Sequence, residues 1–377
     1  MRILMNSEHL SPNTGISVHT VEVAEALAAR GHEIDLLYMR DGPFADRYAA
    51  FCRSMTRVPV FDLGVRRAWR DAPRLVPAVV AGARSRPDVI YANRFRPLPW
   101  ALATGWLARA PVVCHLHGLI GIDHPTVNRM LGRHTEQFLA VSQFVKDAFV
   151  EWGGDATRVG VVHNGIDPAA YPVGGSEERR AARRELGIPE DGDLVLFCGR
   201  IDPTKGVDLL LDAVALADPE GAWLGAVVMG PVGDEAYAAR LRRHPVASRT
   251  HWVPMRTDVV TGYHAADVIA VPSRIDEAFG RVVIEGLATG RPVVATAVGG
   301  VPEVLGRELA DFVVPRDDAG ALAAAIARAF SLRSSEPGLG ARCAAYVSER
   351  FTIDRQVDAV EASLAAAARG RRSGARH

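Results

Sequence analysis

The residues with the most chemical promise lie between Ser273 and Glu303. Glu277 sits in a loop, Ala278-Phe279-Gly280 follow, and Glu285 stands among Val282, Val283, Ile284, Leu287 and Ala288. A carboxylate with that many apolar neighbours is costly to desolvate unless something binds it. Backbone N–H groups at the start of a helix attract anions, phosphate above all. A loop acid, free amides around Phe279 and Gly280, and a second acid further in could together hold a phosphorylated, hydroxyl-rich ligand. Either glutamate alone reads as an ordinary surface or helix-face acid. The ordered set reads as a site.

A second cluster is cationic. Gly199-Arg200-Ile201-Asp202-Pro203-Thr204-Lys205-Gly206 follows an apolar run, as a turn at the end of a strand would. Of 44 basic residues only Lys146 and Lys205 are lysines, so a lysine in this arginine-rich background invites a chemical reason. Arg200 can bind phosphate with two N–H groups, and Lys205 is a compact point charge. Cys114-His115-Leu116-His117-Gly118 ends a further apolar run. Its two histidines share a face if the strand is regular. A zinc pair would need further ligands, and no cysteine or acidic cluster nearby completes one, so no metal is expected. His117, next to the loop, is the better catalytic candidate. Asp191-Gly192-Asp193 has the form of a metal motif but precedes a strand as a turn does. The sequence contains no G-x-G-x-x-G after the first strand, no Walker A, no G-x-S-x-G and no H-E-x-x-H.

The elements that must position these residues alternate. Apolar runs near 3–5, 33–39, 89–92, 112–116, 138–141 and 159–162 predict strands, and helical spacing separates them, as in Val18, Val21, Ala24, Leu27 and Ala28. The first helix is expected from about Ser17 to Arg30, after a loop that contains Gly15. Residues 169–193, rich in Pro, Gly and charge, read as the passage into a second domain. There the alternation resumes, with strands near 194–197, 224–229, 252–253, 268–271, 293–295 and 312–314. Strand–helix alternation predicts parallel sheets covered on both faces. Ligands of such sheets bind beyond the carboxyl ends of the strands. A last amphipathic pattern near 353–367 runs into a basic tail that is expected to lack structure.

Composition narrows the class. The chain has 377 residues, nearly half of them apolar, which suits two domains with sizeable cores. Formal net charge is zero, which argues against a nucleic-acid partner. Four cysteines without paired spacing fit a reducing compartment. The amino-terminal residues do not form a signal peptide, and no apolar run is long enough to span a bilayer. A cytoplasmic protein is expected. Val65–Arg86 mixes arginines with Leu, Val and Ala, so it could lie against an anionic membrane surface, although Pro73 and Pro77 are expected to interrupt any helix there.

The ordered set Gly199-Arg200…Lys205-Gly206, Glu277-Ala-Phe279-Gly280, Glu285, Gly290-Arg-Pro292 and Gly299-Gly300…Glu303 resembles the retaining GT-B glycosyltransferases of family 4. The resemblance extends over the whole chain, through Arg30-Gly31-His32-Glu33 and Asn164-Gly165-Ile166-Asp167, and is more specific in the second half. It departs from the family in the first loop, where Gly15 stands without a second adjacent glycine. It implies an α/β GT-B fold of two doubly wound Rossmann-like domains facing a cleft. Residues 1–168 would form the acceptor side and 169–351 the donor domain, with a helix at about 352–377 crossing back.

The implied activity is transfer of a hexose from a nucleoside-diphosphate sugar to an acceptor hydroxyl, with retention, without metal and without a resident cofactor. A uridine donor is placed ahead of a guanosine one. Arg200 and Lys205 would bind the donor diphosphate, with Gly15 allowing backbone approach. Glu277 would contact the sugar, helped by the amides of Phe279, Gly280 and Arg281. Glu285 would hold the ribose, and His117 would lie near the reacting carbon. A small soluble acceptor is placed slightly ahead of a lipid. A sugar-nucleotide epimerase on the same architecture and a membrane-associated lipid glycosyltransferase are the alternatives.

Overall fold

The computed structural model describes residues 1–12, 14–61, 68–118 and 125–374, with the side chains of 68–71, 125, 127 and 371–374 outside the description. The chain divides into two compact units, Met1–Gly165 with Ile353–His377, and Ile166–Thr352.

In the first unit the strands are β1 (Arg2–His9), β2 (Glu33–Arg40), β3 (Ser54–Arg57), β4 (Val89–Ala92), β5 (Val112–Leu116), β6 (Gln137–Ala140) and β7 (Val159–Val161). They form one parallel sheet in the order β3-β2-β1-β4-β5-β6-β7. In the second unit β8 (Asp193–Cys198), β9 (Leu224–Met229), β10 (Thr250–Val253), β11 (Val268–Val271), β12 (Val293–Thr296) and β13 (Val313–Val314) form another, in the order β10-β9-β8-β11-β12-β13. Inner strands such as β4 and β11 are buried along their whole length. Burial on both faces of a parallel sheet produces uninterrupted apolar runs, which is why these strands are legible in the sequence. Edge strand β3, Ser-Met-Thr-Arg, is mostly exposed, lacks such a run and was not anticipated.

In each sheet the strand order reverses beside the first strand, at β1/β4 and at β8/β11. Such switch points are where open α/β sheets bind ligands.

Three expectations need correction. The first helix starts at Gly15, not Ser17, because Thr14 caps it by accepting the Ser17 N–H at 3.2 Å. A helix runs Ala68–Arg84 with Pro73 and Pro77 inside it. Leu75 and Ala78 are buried, and the Ala78 carbonyl accepts the Trp100 indole N–H at 3.1 Å, so tertiary packing outweighs the proline penalty. Residues 65–67 and the side chains of Trp69 and Arg70 lie outside the described residues, while Arg74, Arg84 and Arg86 are exposed. The last helix, Ile353–Gly374, continues into the basic tail. It buries Val357, Val360, Leu364 and Ala367 in the core of the first unit, at helical spacing.

Candidate active site

Two strand-end loops carry the second unit's chemistry. After β8 the chain turns through Asp202, whose carboxylate caps Thr204 N at 2.9 Å, and reaches Lys205. Gly206 follows at φ 68°, where a Cβ would stand 2.0 Å from the Pro272 carbonyl oxygen; only glycine lets the loop after β8 lie this close to the end of β11. After β11, Ser273 Oγ donates to Glu277 Oε1 at 2.6 Å, and Lys205 Nζ meets the same oxygen at 2.5 Å. Two of the expected site residues are thus joined directly across the β8/β11 switch point. Gly299, at φ 55°, is pinned against Glu277, whose carbonyl accepts the Gly300 N–H at 2.8 Å. The Gly299-Gly300 turn therefore fixes the backbone of the acid's loop.

Gly280, left-handed at φ 91°, starts the helix Arg281–Ala288. Phe279 is buried edge-on against Phe351 with centroids 5.7 Å apart, so its ring anchors the loop.

Glu285 is buried, and its partners were missed in the sequence. Oε1 accepts from Arg281 Nε at 2.5 Å and from Tyr171 Oη at 3.1 Å, and Oε2 accepts from Tyr263 Oη at 2.7 Å. Arg281, expected to act through its amide, is thereby also the counter-ion of Glu285, one helical turn away. The two tyrosines are far away in the sequence and carry no motif. Arg200 is exposed, and its Nε holds Asp202 at 2.5 Å. Among the described residues its ion pair is with Asp202, and it contacts neither glutamate.

The other expected residues lie in the first unit. Gly15 is the exposed first residue of its helix. His117 lies one residue past β5, 4.3 Å from the His115 ring and 4.5 Å from the His19 ring, centroid to centroid. Burial pushes the pKa of His115 down to about 3. Burial, then the neighbouring His115, His19 and Arg94, holds His117 well below the usual imidazole range. Both rings are therefore neutral at physiological pH.

The first unit's switch point opens into a cavity of about 300 Å³ lined by Asn6, Ser7, Glu8, Ser11, Asn93 and Arg94, among others. Asn93 N donates to Asn6 Oδ1 at 3.2 Å and Asn93 Nδ2 to the Asn6 carbonyl at 3.0 Å. Arg94 pairs with Glu8 at 3.0 Å. Asn93 Oδ1 and Ser11 Oγ are buried without a hydrogen-bond partner among the described residues. None of these polar residues was singled out from the sequence.

A doubly wound sheet with fixed cations and acids at its switch point, and another with a polar cavity at the equivalent place, suit an enzyme that handles a nucleotide sugar. Comparison with known proteins gives the family. Residues 13–170 match the model of Glycosyltransferase Family 4, and residues 192–331 match that of Glycosyl transferases group 1. The chain belongs to the GT-B glycosyltransferases of the family 4 type.

It is 29% identical over 343 residues to a D-inositol 3-phosphate glycosyltransferase of Corynebacterium glutamicum, covering 80% of this chain and 82% of that one. A protein of the same name from Streptomyces bingchenggensis is 29% identical over 98% of this chain and 90% of its own. Among solved structures, Anabaena HepE in complex with UDP and glucose superposes with a TM-score of 0.83 at 25% identity, covering 97% of this chain and 99% of that one. Among the described residues no helix is long and apolar enough to cross a membrane.

Proposed function

We propose that this enzyme moves a hexose from a uridine-diphosphate sugar to a hydroxyl of a small, hydroxyl-rich acceptor, with retention and without metal. The observation that carries the reading is the Lys205–Glu277 pair at the β8/β11 switch point, with the exposed Arg200 on the same loop. A donor exchanges that pair for its own groups: the ammonium meets the diphosphate, and the carboxylate meets sugar hydroxyls. Arg200 offers its free guanidinium face to the same phosphates.

In the reaction the bond from the anomeric carbon to the phosphate oxygen breaks. The acceptor oxygen forms the new bond on the same face, and the acceptor proton passes to the departing diphosphate. Fixed cations and the amides at Gly280 and Arg281 stabilise the growing negative charge. His117, neutral, meets the sugar as a hydrogen-bonding group. That HepE was solved with UDP and glucose supports a uridine base. The unpaired Asn93 Oδ1 and Ser11 Oγ, which suit hydroxyl donors, support an acceptor position in the first unit. The inositol phosphate named for the relatives is the first acceptor to test. Exposed Arg74, Arg84 and Arg86 support a further contact with anionic membranes, which vesicle cosedimentation tests.

Donors can be ranked by thermal shift, since a ligand of the native state raises its melting temperature. Transfer is then assayed with and without chelator, and the product anomer is read by NMR. Full turnover by both Lys205→Ala and Glu277→Ala would remove the site assignment. An inverted product would remove the retaining mechanism.

A further inference from the structure

The first unit holds a cluster of which the transfer chemistry uses only one member, His117. His19 is a buried residue of the helix Gly15–Ala29, His115 is a buried residue of β5, and His117 is half-buried just beyond it. One nitrogen of each imidazole lies within 4.8 Å of the other two. We propose that His19, His115 and His117 form a three-imidazole site for a divalent transition cation of the zinc type.

Three features support it. First, one of the rings is oriented from behind. Tyr91 Oη is 2.5 Å from His115 Nδ1, so Nε2 of that ring faces the cluster. Such an outer hydrogen bond is what holds ligating histidines in other metal sites. His19 Nε2 accepts from the Gln356 amide, so His19 ligates only once Nδ1 gives up its proton as the cation arrives. Second, Nε2 of His117 is buried and has no hydrogen-bond partner among the described residues. An unpaired buried nitrogen is costly, and a cation would satisfy it. Third, the chemistry of the donor set fits. Three neutral imidazoles are a recurrent zinc ligand set that leaves a fourth position open. With Zn–N bonds of about 2.0–2.1 Å at tetrahedral angles, ligating nitrogens stand about 3.4 Å apart. From a present limit of 4.8 Å the rings close by up to about 1.4 Å on binding, through side-chain rotation.

The inference does not depend on the transfer reaction, except in one consequence: His117 is also the residue proposed to meet the sugar, so cation occupancy and turnover should exclude each other. The deciding measurement uses no substrate. The untagged full chain, stripped with chelator, is titrated with Zn²⁺ and with Co²⁺, and retained metal is counted after gel filtration. One equivalent per chain is expected, with the intense visible absorption of low-coordinate cobalt. His117→Ala, at the half-buried end of the set, should lose stoichiometric retention while its thermal unfolding without metal stays near the parent's. His115→Asn, which keeps a polar side chain in place, should do the same. Tyr91→Phe should weaken binding about tenfold by releasing the His115 ring. Failure of the parent to retain either metal, or equal retention by both histidine variants, overturns the site. Loss of transfer activity in the Lys205 and Glu277 variants is a separate question that these results leave untouched.

Discussion

The two sheets repeat one construction and then diverge at the ligand-binding edge. At the amino ends of the switch strands, Asp88 before β4 accepts the Arg2 N–H at 2.9 Å and donates its own N–H to the Arg2 carbonyl. Asp267 before β11 does the same with Leu194, at 2.9 Å in both directions. At the carboxyl ends the match breaks down. The second unit joins its switch strands with the ion pair Lys205–Glu277, whereas the first joins them with two amides, Asn6 and Asn93, beside an ion pair of its own, Glu8–Arg94. The shared edge shows what the fold needs, namely a buried strand start whose donors are satisfied. The differing edge is where the proposed donor and acceptor would be told apart, by Lys205 in the second unit and by the unpaired Asn93 Oδ1 and Ser11 Oγ in the first.

The largest effect is expected from breaking the shared edge where it is charged. Asp267 is fully buried and also pairs with Arg183, itself fully buried, at 2.8 Å, as well as with Arg179 and Arg333. Asp267→Ala leaves the Arg183 guanidinium buried without its counter-ion and should cost about 3–5 kcal/mol. Asp88→Ala, at a half-buried position, should cost about 1 kcal/mol. Urea unfolding compares the two. Equal losses would mean that burial of charge is not what separates these aspartates.

Next comes the differing edge. Lys205→Ala should lower turnover about 100-fold or more, as loss of one fixed donor to a developing anion does elsewhere. Unfolding should shift little, because the pair is partly exposed and such pairs contribute about 0–1 kcal/mol. Glu277→Ala should act similarly. The double variant should be less than additive, since the two residues form one unit. Fully additive losses, measured as kcat/KM, would separate two roles that the geometry joins.

This contrast also explains what the sequence disclosed. The charged edge was legible because its residues lie in two short motifs, each at the end of an apolar strand, and because a lysine is rare in this chain. Glu285 was legible as a carboxylate in need of partners, yet Tyr171 and Tyr263 were not, since only folding brings them to it. The first unit's edge was not legible at all. Asn6 in β1, and Ser11 and Asn93 in the loops after β1 and β4, are ordinary polar residues until those strands become neighbours. His19 was not singled out, because only folding brings its helix against His115 and His117. Prolines at 73 and 77 misled because local propensity is weaker than the packing of Leu75 and Ala78.

A smaller test sharpens the first unit's edge. Asn93→Ala removes an amide that both ties β4 to β1 and faces the cavity. If the cavity takes the acceptor, the acceptor KM should rise about tenfold, in line with a lost hydrogen bond of about 1.4 kcal/mol. The donor KM should stay as in the parent. A rise confined to the donor KM would place the donor, and not the acceptor, at this edge.

The smallest expected effect concerns the helix that closes the first unit and has no counterpart in the second. Glu361 on Ile353–Gly374 meets His32 Nε2 at 2.9 Å and Arg30 Nη1 at 3.0 Å. The His32 bond, then the Arg30 bond, holds the Glu361 pKa below the ordinary glutamate value. A folded-state pKa below the unfolded one gives stability that is fully present above the unfolded value, near 4.3, and is lost as pH falls through the lowered folded value. The side chain is 34% exposed, so solvent screening limits the contribution to under about 1 kcal/mol. Glu361→Gln should therefore lose a few tenths of a kcal/mol (roughly) at neutral pH, with the gap closing in acid as the parent's own carboxylate is protonated. Unfolding free energies measured from neutral pH downward decide it. A gap that stays constant across that range would mean that Glu361 acts through packing alone, and the helix would then be held by Val357, Val360, Leu364 and Ala367 without electrostatic help.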